Sequence, residues 1–225
     1  MNADLKDRDI RQRELVPPGE LAGVRAVVIG VGSVGRQVAL QLASLGVPAM
    51  TLYDHDRVSV ENLASQGFWE TDLGVSKVHA AANVAHQQFQ MMELNAIPER
   101  FRRTHARQLP TDKPLAVFAC VDAIDTRRLI WESVRDRAAF FADGRLAAEV
   151  IRVLASAAPH GDRYSRTLFP GGEAYLGSCT GRTTIYAASI AAGLMLAQFA
   201  RWLRGQPVTP DQTLNLLAAE LTVDD

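Results

Sequence analysis

Cysteine is scarce in this sequence, with Cys120 and Cys179 the only two. Two isolated thiols exclude a disulfide framework and a four-cysteine zinc site, so no structural zinc is expected. A long apolar run is missing too. The most apolar stretch, Ile185 to Leu203, is interrupted by Ser189, Gln198 and Arg201. A spanning helix needs ~20 apolar residues without such breaks, so this stretch reads as a buried helix. Met1 to Leu15 is charged throughout and lacks the apolar centre of a signal peptide. Neither sign of charge is in excess, because 24 Lys and Arg stand against 25 Asp and Glu. No general field therefore attracts nucleic acid or an acidic membrane, and any polyanion must be bound locally. These absences together lead to the expectation of a cytoplasmic protein with no nucleic-acid and no membrane partner.

What is present is an ordinary globular balance, 48% apolar and 22% charged, which argues against disorder. A chain of 225 residues suffices for one large α/β domain with a substantial core. Residues 1–18 are expected to form an N-terminal arm, ended by Pro17-Pro18-Gly19, and residues 19–225 a single domain.

Val24 to Ile29 is a continuous valine-rich run, as expected of a strand buried on both faces. A glycine-rich turn follows, then a helix over Arg36 to Leu45 closed by Gly46, then a strand over Ala49 to Tyr53 that ends at Asp54. This is a βαβ unit with a right-handed crossover. His55 to Gly74 has no clean period and reads as a long functional loop. Further on, helices are predicted over Ser76–Gln90, Asp125–Arg137 and Thr180–Arg204. Strands are predicted over Met91–Ala96, Leu115–Cys120, Ala138–Ala142, Leu146–Ser156 and Leu214–Val223. His160 to Gly177 reads as loop. The pattern specifies an α/β fold with a Rossmann-like, doubly wound, mostly parallel sheet and an antiparallel far edge.

Gly30-Val31-Gly32-Ser33-Val34-Gly35 fits GxGxxG directly between a buried strand and a helix start. In such a turn the first glycine permits the bend, the second lets phosphate approach the backbone, and the third lets helix and strand pack closely. The free N–H groups of the helix then face the anion. Asp54, 19 positions after Gly35, stands where a carboxylate accepts hydrogen bonds from ribose hydroxyls. Together these features point to an adenine nucleotide, and they leave NAD, FAD and ATP open.

The residues after the second strand resemble the ThiF/MoeB family of activating enzymes, which includes the catalytic core of ubiquitin-activating enzymes. Asp54-His55-Asp56-Arg57-Val58 resembles that family's Asp-x-Asp followed by Val, Asn62-Leu63-Ala64-Ser65-Gln66 its Asn-Leu-x-Arg-Gln, and Gly74-Val75-Ser76-Lys77 its Gly-x-x-Lys. Upstream, Arg8-Asp9-Ile10-Arg11-Gln12 is similar to the family's Arg-Tyr-x-Arg-Gln arm. Downstream, Ala119-Cys120-Val121-Asp122 is similar to the strand end that finishes in a magnesium-associated aspartate. Cys179 stands before a small-residue helix, as the family's reactive cysteine does.

The resemblance implies an ATP-dependent adenylyltransferase, acting as a homodimer on the C-terminal carboxylate of a ubiquitin-like carrier that ends in Gly-Gly. It implies cofactor contacts from Gly30, Gly32, Gly35, Asp54, Asp56, Asn62, Gln66 and Lys77. Catalytic roles would fall to Arg11 (reaching into the partner subunit's site), Lys77, Asp122 with Mg2+, and Cys179 as acyl acceptor. The chemistry is coherent without the family, since attack of a carboxylate on the α-phosphate of ATP joins two anions, and cations must offset the charge. Each residue also has a plainer reading: Lys77 as a solvated cation, Asp122 as a helix cap, Arg11 as part of a loose arm, Cys179 as a small buried hydrophobe. Ser65 departs from the family by removing an arginine near the phosphates. Either Arg36 or Arg57 substitutes for it, or the site is weakened. The family's paired CxxC is missing too, and the chain reads as a minimal adenylation core. Two rival functions remain: an NAD(P) or FAD oxidoreductase on the same βαβ unit, and a nucleotide-binding pseudoenzyme.

Overall fold

The computed structural model describes residues 8–157, 163–169 and 183–224. Eight strands form one sheet: β1 (Arg25–Ile29), β2 (Ala49–Tyr53), β3 (Glu93–Ile97), β4 (Leu115–Ala119), β5 (Ala138–Ala147), β6 (Val150–Ala157), β7 (Asp211–Asn215) and β8 (Glu220–Asp224). Their order across the sheet is β3-β2-β1-β4-β5-β6-β7-β8. The first five run parallel and the remaining pairings are antiparallel. The helices are α1 (Pro18–Ala22), α2 (Ser33–Leu45), α3 (Val60–Gln66), α4 (Lys77–Gln88), α5 (Arg103–Gln108), α6 (Ile124–Val134), α7 (Arg163–Arg166) and α8 (Ile185–Leu203).

Alternation along the strands builds two cores from one sheet. Ala26 and Val28 of β1, with Ala116 and Phe118 of β4, pack beneath α2, α4 and α8 through Val38, Leu42, Val78, Met195 and Phe199. Val27, Ile29, Val117 and Ala119 face the other way, against Ala106, Ile130, Trp131, Val134 and Tyr164. Burial on both faces explains why β1 and β4 read as continuous apolar runs rather than alternating ones.

The strand order reverses between β1, which leads on to β2, and its other neighbour β4. In open α/β sheets such a switch point opens a crevice at the strands' carboxyl ends. Ile29 pairs with both Tyr53 and Ala119, so β1, β2 and β4 end level. Gly30, Asp54 and Cys120 therefore emerge side by side.

Several expectations are corrected. The segment 55–74 is not wholly loop. It holds α3 and a 3₁₀ turn at Glu70–Asp72. Helix α3 is short, and its start is marked by a capping box in which the N–H and Oγ of Ser59 both donate to Asn62 Oδ1, at 3.1 and 2.9 Å. Gly67 closes it in the left-handed region at φ 74°. Helix α5 has one buried residue, Ala106, and thus no apolar period to announce it. Strands β5 and β6 form a longer hairpin than expected, and the single C-terminal strand is two, β7 and β8, joined by a turn at Ala219 with φ 52°. The first residues of the helix expected from Thr180 lie outside the described residues. Among the described residues, no helix is long and apolar enough to cross a membrane.

Candidate active site

The glycine turn is dictated by contact. Gly30 has φ +87°, and a β-carbon there would stand 2.6 Å from the carbonyl oxygen of Cys120; one on Gly35 would stand 1.8 Å from that of Gly30. Neither position admits another residue without moving backbone. Gly32 caps α2, and the first bond of the helix runs from Arg36 N–H to Gly32 O at 3.0 Å. The preceding N–H groups of the first turn have no acceptor within the helix and are free for an anion.

Asp54 locks this turn to its neighbour. Its Oδ2 accepts from Val31 N–H at 2.7 Å and its Oδ1 from Asp56 N–H at 2.8 Å. Each oxygen keeps a further lone pair for a sugar hydroxyl.

A cavity of about 360 Å³ opens over the turn, and its walls include Gly30, Gly32, Ser33, Asp54, Asp56, Gln66, Lys77 and Asp122. Residues far apart in sequence are thus brought round one space. Lys77 begins α4 and is 7% exposed. Its Nζ pairs with Asp56 Oδ2 at 3.1 Å. Asp122 follows β4, its Oδ1 accepting from Ala123 N–H at 2.8 Å. Asn62 is not brought in: its carboxamide oxygen is engaged in the α3 cap, and it does not line the cavity. Cys179 lies outside the described residues, so the acyl-acceptor expectation is without a described position.

Arg11 is exposed and stands away from the cavity of its own chain. The arm is held at the opposite end of α2, where Arg8 Nη2 donates to Ala43 O and Ser44 O, both at 2.9 Å, and Gln12 Nε2 donates to Leu45 O at 3.0 Å. Helix α2 has 13 residues, so about 20 Å of helix separates that end from the glycine turn. Arg8 also stacks on Phe89 at 4.5 Å. These capping contacts carry favourable charge at a helix C-terminus and had no signal in the sequence beyond the arginine itself.

Sequence reasoning also passed over His55, Arg100 and Phe101, which line the same cavity. Arg100 Nη2 donates to His55 Nε2 at 2.8 Å, and Phe101 meets Tyr53 edge-on at 5.2 Å. Asp54, His55 and Asp56 bring their ligand atoms within 4.8 Å of one another. They make a poor metal site, because backbone N–H groups, Lys77 and Arg100 already engage those atoms.

Below the cavity, fully buried Asp143 of β5 accepts from Arg127 of α6, from Arg145 Nε at 2.7 Å and from Tyr164 Oη at 2.9 Å. Arg127 donates as well to Gly144 O at 3.3 Å. Burial lowers the Arg127 guanidinium to about 10, still well above neutrality, so the guanidinium stays charged. This network fixes α6, and with it the loop carrying Asp122, against the sheet. Cys120 faces the cavity from the strand end, and burial pushes its thiol up to about 12, against a smaller opposing pull from Arg127. A thiol so protonated is a poor nucleophile.

A doubly wound sheet with an anion-ready glycine turn at its switch point defines a Rossmann-like nucleotide-binding fold. The chain belongs to the ThiF family, whose model matches residues 10–222. It is 28% identical over 136 residues to the adenylyltransferase and sulfurtransferase MOCS3 of Dictyostelium discoideum, a match covering 56% of this chain and 32% of that protein. The MOCS3 of Mus musculus is 33% identical over 111 residues, covering 49% and 24%. Ubiquitin-like modifier-activating enzyme 5 of Drosophila ananassae is 31% identical over 121 residues, covering 49% and 31%. The chain thus matches about a third or less of the length of these curated relatives. Among solved structures, PaaA has a TM-score of 0.79 at 19% identity, covering 100% of this chain and 74% of that one. E. coli MccB solved with ATP has a TM-score of 0.71 at 15% identity, covering 92% and 65%. These two likenesses show the fold.

Proposed function

We propose that the chain is an ATP-dependent adenylyltransferase that activates the C-terminal carboxylate of a ubiquitin-like carrier protein ending in Gly-Gly. The observation that carries this reading is the level ending of β1, β2 and β4, which gathers the glycine turn, Asp54, Lys77 and Asp122 round one cavity. Family membership supports the reading, as do relatives named for adenylyl transfer and for activation of ubiquitin-like modifiers.

In this reading the triphosphate rests on the free N–H groups of α2 and the ribose on Asp54. The carrier's carboxylate oxygen attacks the α-phosphorus; the bond to the bridging oxygen breaks, and pyrophosphate leaves with the electron pair. The products are the acyl adenylate and pyrophosphate. Lys77 offsets charge on the phosphate oxygens, where preorganised cations act most strongly. Asp122 suits Mg2+, because its Oδ1 accepts from the backbone while its other oxygen has no hydrogen-bond partner among the described residues, and magnesium is commonly held by one or two carboxylates plus phosphate oxygens. Such an ion would draw charge from the leaving pyrophosphate. Arg11, some 20 Å of helix away from its own cavity, would serve the site of a second copy, making a homodimer the catalytic unit. Cys179 would then accept the acyl group, forming a thioester and releasing AMP. The setting is the cytoplasm.

The test is exchange of radiolabelled pyrophosphate into ATP in the presence of carriers ending in Gly-Gly. The reading expects exchange that needs both the carrier and Mg2+. Absence of exchange with every such carrier, or exchange indifferent to the carrier's terminal carboxylate, counts against it.

A further inference from the structure

Among the described residues, one buried charge has no ion-pair partner. Arg36, the fourth residue of α2, is 4% exposed, and its Nε finds no hydrogen-bond acceptor. Its guanidinium lies 5.0 Å over the Phe68 ring, and its Nη1 lies against Gly67, 3.2 Å from where a β-carbon would stand there. It forms no ion pair among the described residues. Asp72, whose field reaches it, already accepts from Trp69 N–H at 2.9 Å, and burial lowers the Arg36 guanidinium despite that field. An uncompensated cation in a low-dielectric setting is strongly disfavoured. A fold that keeps one gains when an anion arrives beside it.

The position says which anion. A helical side chain leans toward the N-terminus of its helix, and the N-terminus of α2 is the cavity wall formed by Gly32 and Ser33. Across the gap, Gln66 lines the same cavity with its Oε1 buried and unpartnered, 3.9 Å from a β-carbon built on Gly32. Arg36 meets this wall through Gly67, which follows Gln66 in the chain and against which its Nη1 lies. Arg100 also lines the cavity, but it is exposed and its Nη2 donates to His55 Nε2 at 2.8 Å. Ser65 carries no charge, and its hydroxyl donates to Glu61 O at 3.0 Å. Arg57 is exposed, and its Nη1 donates to Gly74 O at 2.7 Å.

We infer that Arg36 is a second buried cation of the phosphate site, acting with Lys77 from beside Gly67 to offset the triphosphate charge. Fields are screened less inside a protein than in water, so a buried guanidinium acts across one layer of backbone. The inference rests on reading the cavity as a site for ATP, and not on the identity of the carrier.

Titration calorimetry with ATP and with AMP, on the wild-type chain, Arg36→Met, Ser65→Arg and the double variant, tests it. Methionine keeps the apolar stem and removes the charge. The expected results are an ATP affinity at least tenfold weaker in Arg36→Met, an AMP affinity within threefold of wild type, and recovery of the ATP loss in the double variant. A role in packing alone would weaken ATP and AMP alike, and that outcome, or ATP affinity within threefold of wild type, overturns the inference. Ser65→Arg alone keeps it open to refutation even if Arg36→Met does not fold. A gain below threefold is expected because the second cation is already there, whereas a gain of tenfold or more means that it was missing. Wild-type protein that binds neither ATP nor AMP overturns the nucleotide reading itself, while ATP binding indifferent to Arg36 overturns this inference alone.

Discussion

Replacing Lys77 by methionine separates what its ammonium does for the fold from what it does for chemistry, because the two magnitudes differ widely. The stem stays filled, so no cavity opens. The side chain of Lys77 is 9% exposed but that of its partner Asp56 is 50% exposed, and a half-solvated pair of this kind contributes about 0–1 kcal/mol to stability. Asp56 left alone regains water rather than standing as a buried charge. If Lys77 faces the reacting phosphate, the loss in the transition state is of the order found for removing one preorganised electrostatic group, about 3–4 kcal/mol, or roughly 10²- to 10³-fold in rate. Pyrophosphate exchange and urea unfolding on the same preparation measure both quantities. The expected result is a rate lower by two to three orders of magnitude with stability within about 1 kcal/mol of wild type. Exchange within threefold of wild type refutes the placement of Lys77 at the reacting centre, and a parallel collapse of stability shows its role to be structural.

Three further outcomes follow from the geometry. Gly35→Ala forces a β-carbon to within 1.8 Å of Gly30 O. The turn must open, and nucleotide-induced thermal stabilisation should vanish even where the variant remains folded. Asp143→Ala leaves buried Arg127 and partly buried Arg145 without their shared carboxylate, and denaturant melts should show a loss of about 3–5 kcal/mol. Cys120 makes stability depend on pH in the alkaline range. Its thiol ionises near 9.0 when unfolded but at about 12 in the fold, so above pH 9 the unfolded chain releases a proton that the fold retains, and stability falls as pH rises. Between pH 8 and pH 10 the wild type should lose about 1 kcal/mol more than Cys120→Ala. The buried tyrosines Tyr53 and Tyr164 contribute equally to both proteins and cancel.

How much of this was legible in the sequence depended on whether a residue's role is local. The glycine turn, Asp54 and the strands around them were readable because a βαβ unit writes its constraints within thirty residues: an apolar run, glycines at fixed offsets, and an acid at the next strand end. The placement of Lys77 and Asp122 beside that turn was readable only through a resemblance, since periodicity says nothing about which strand ends lie level. Asn62 shows the opposite case. Its position in the motif pointed to the nucleotide, whereas its carboxamide oxygen is engaged in capping α3, a short helix that the lack of apolar period concealed. His55, Arg100 and the clasp of Arg8 and Gln12 on α2 could not be found from sequence, because each pairs groups joined only through tertiary packing. Arg36 carried a hint, as an arginine in the first turns of the phosphate helix, but its burial without an ion-pair partner among the described residues is visible only in three dimensions.

In the proposed reaction a nucleoside triphosphate lies on the glycine turn with its α-phosphorus between Lys77 and Asp122. A crystal structure of the protein with a non-hydrolysable ATP analogue and Mg2+ tests this placement. Phosphate oxygens are expected on the free N–H groups of α2, ribose hydroxyls on Asp54, and the α-phosphate facing Lys77. An analogue bound away from the turn, or a dinucleotide-like pose with the phosphates turned from Lys77 and Asp122, contradicts it.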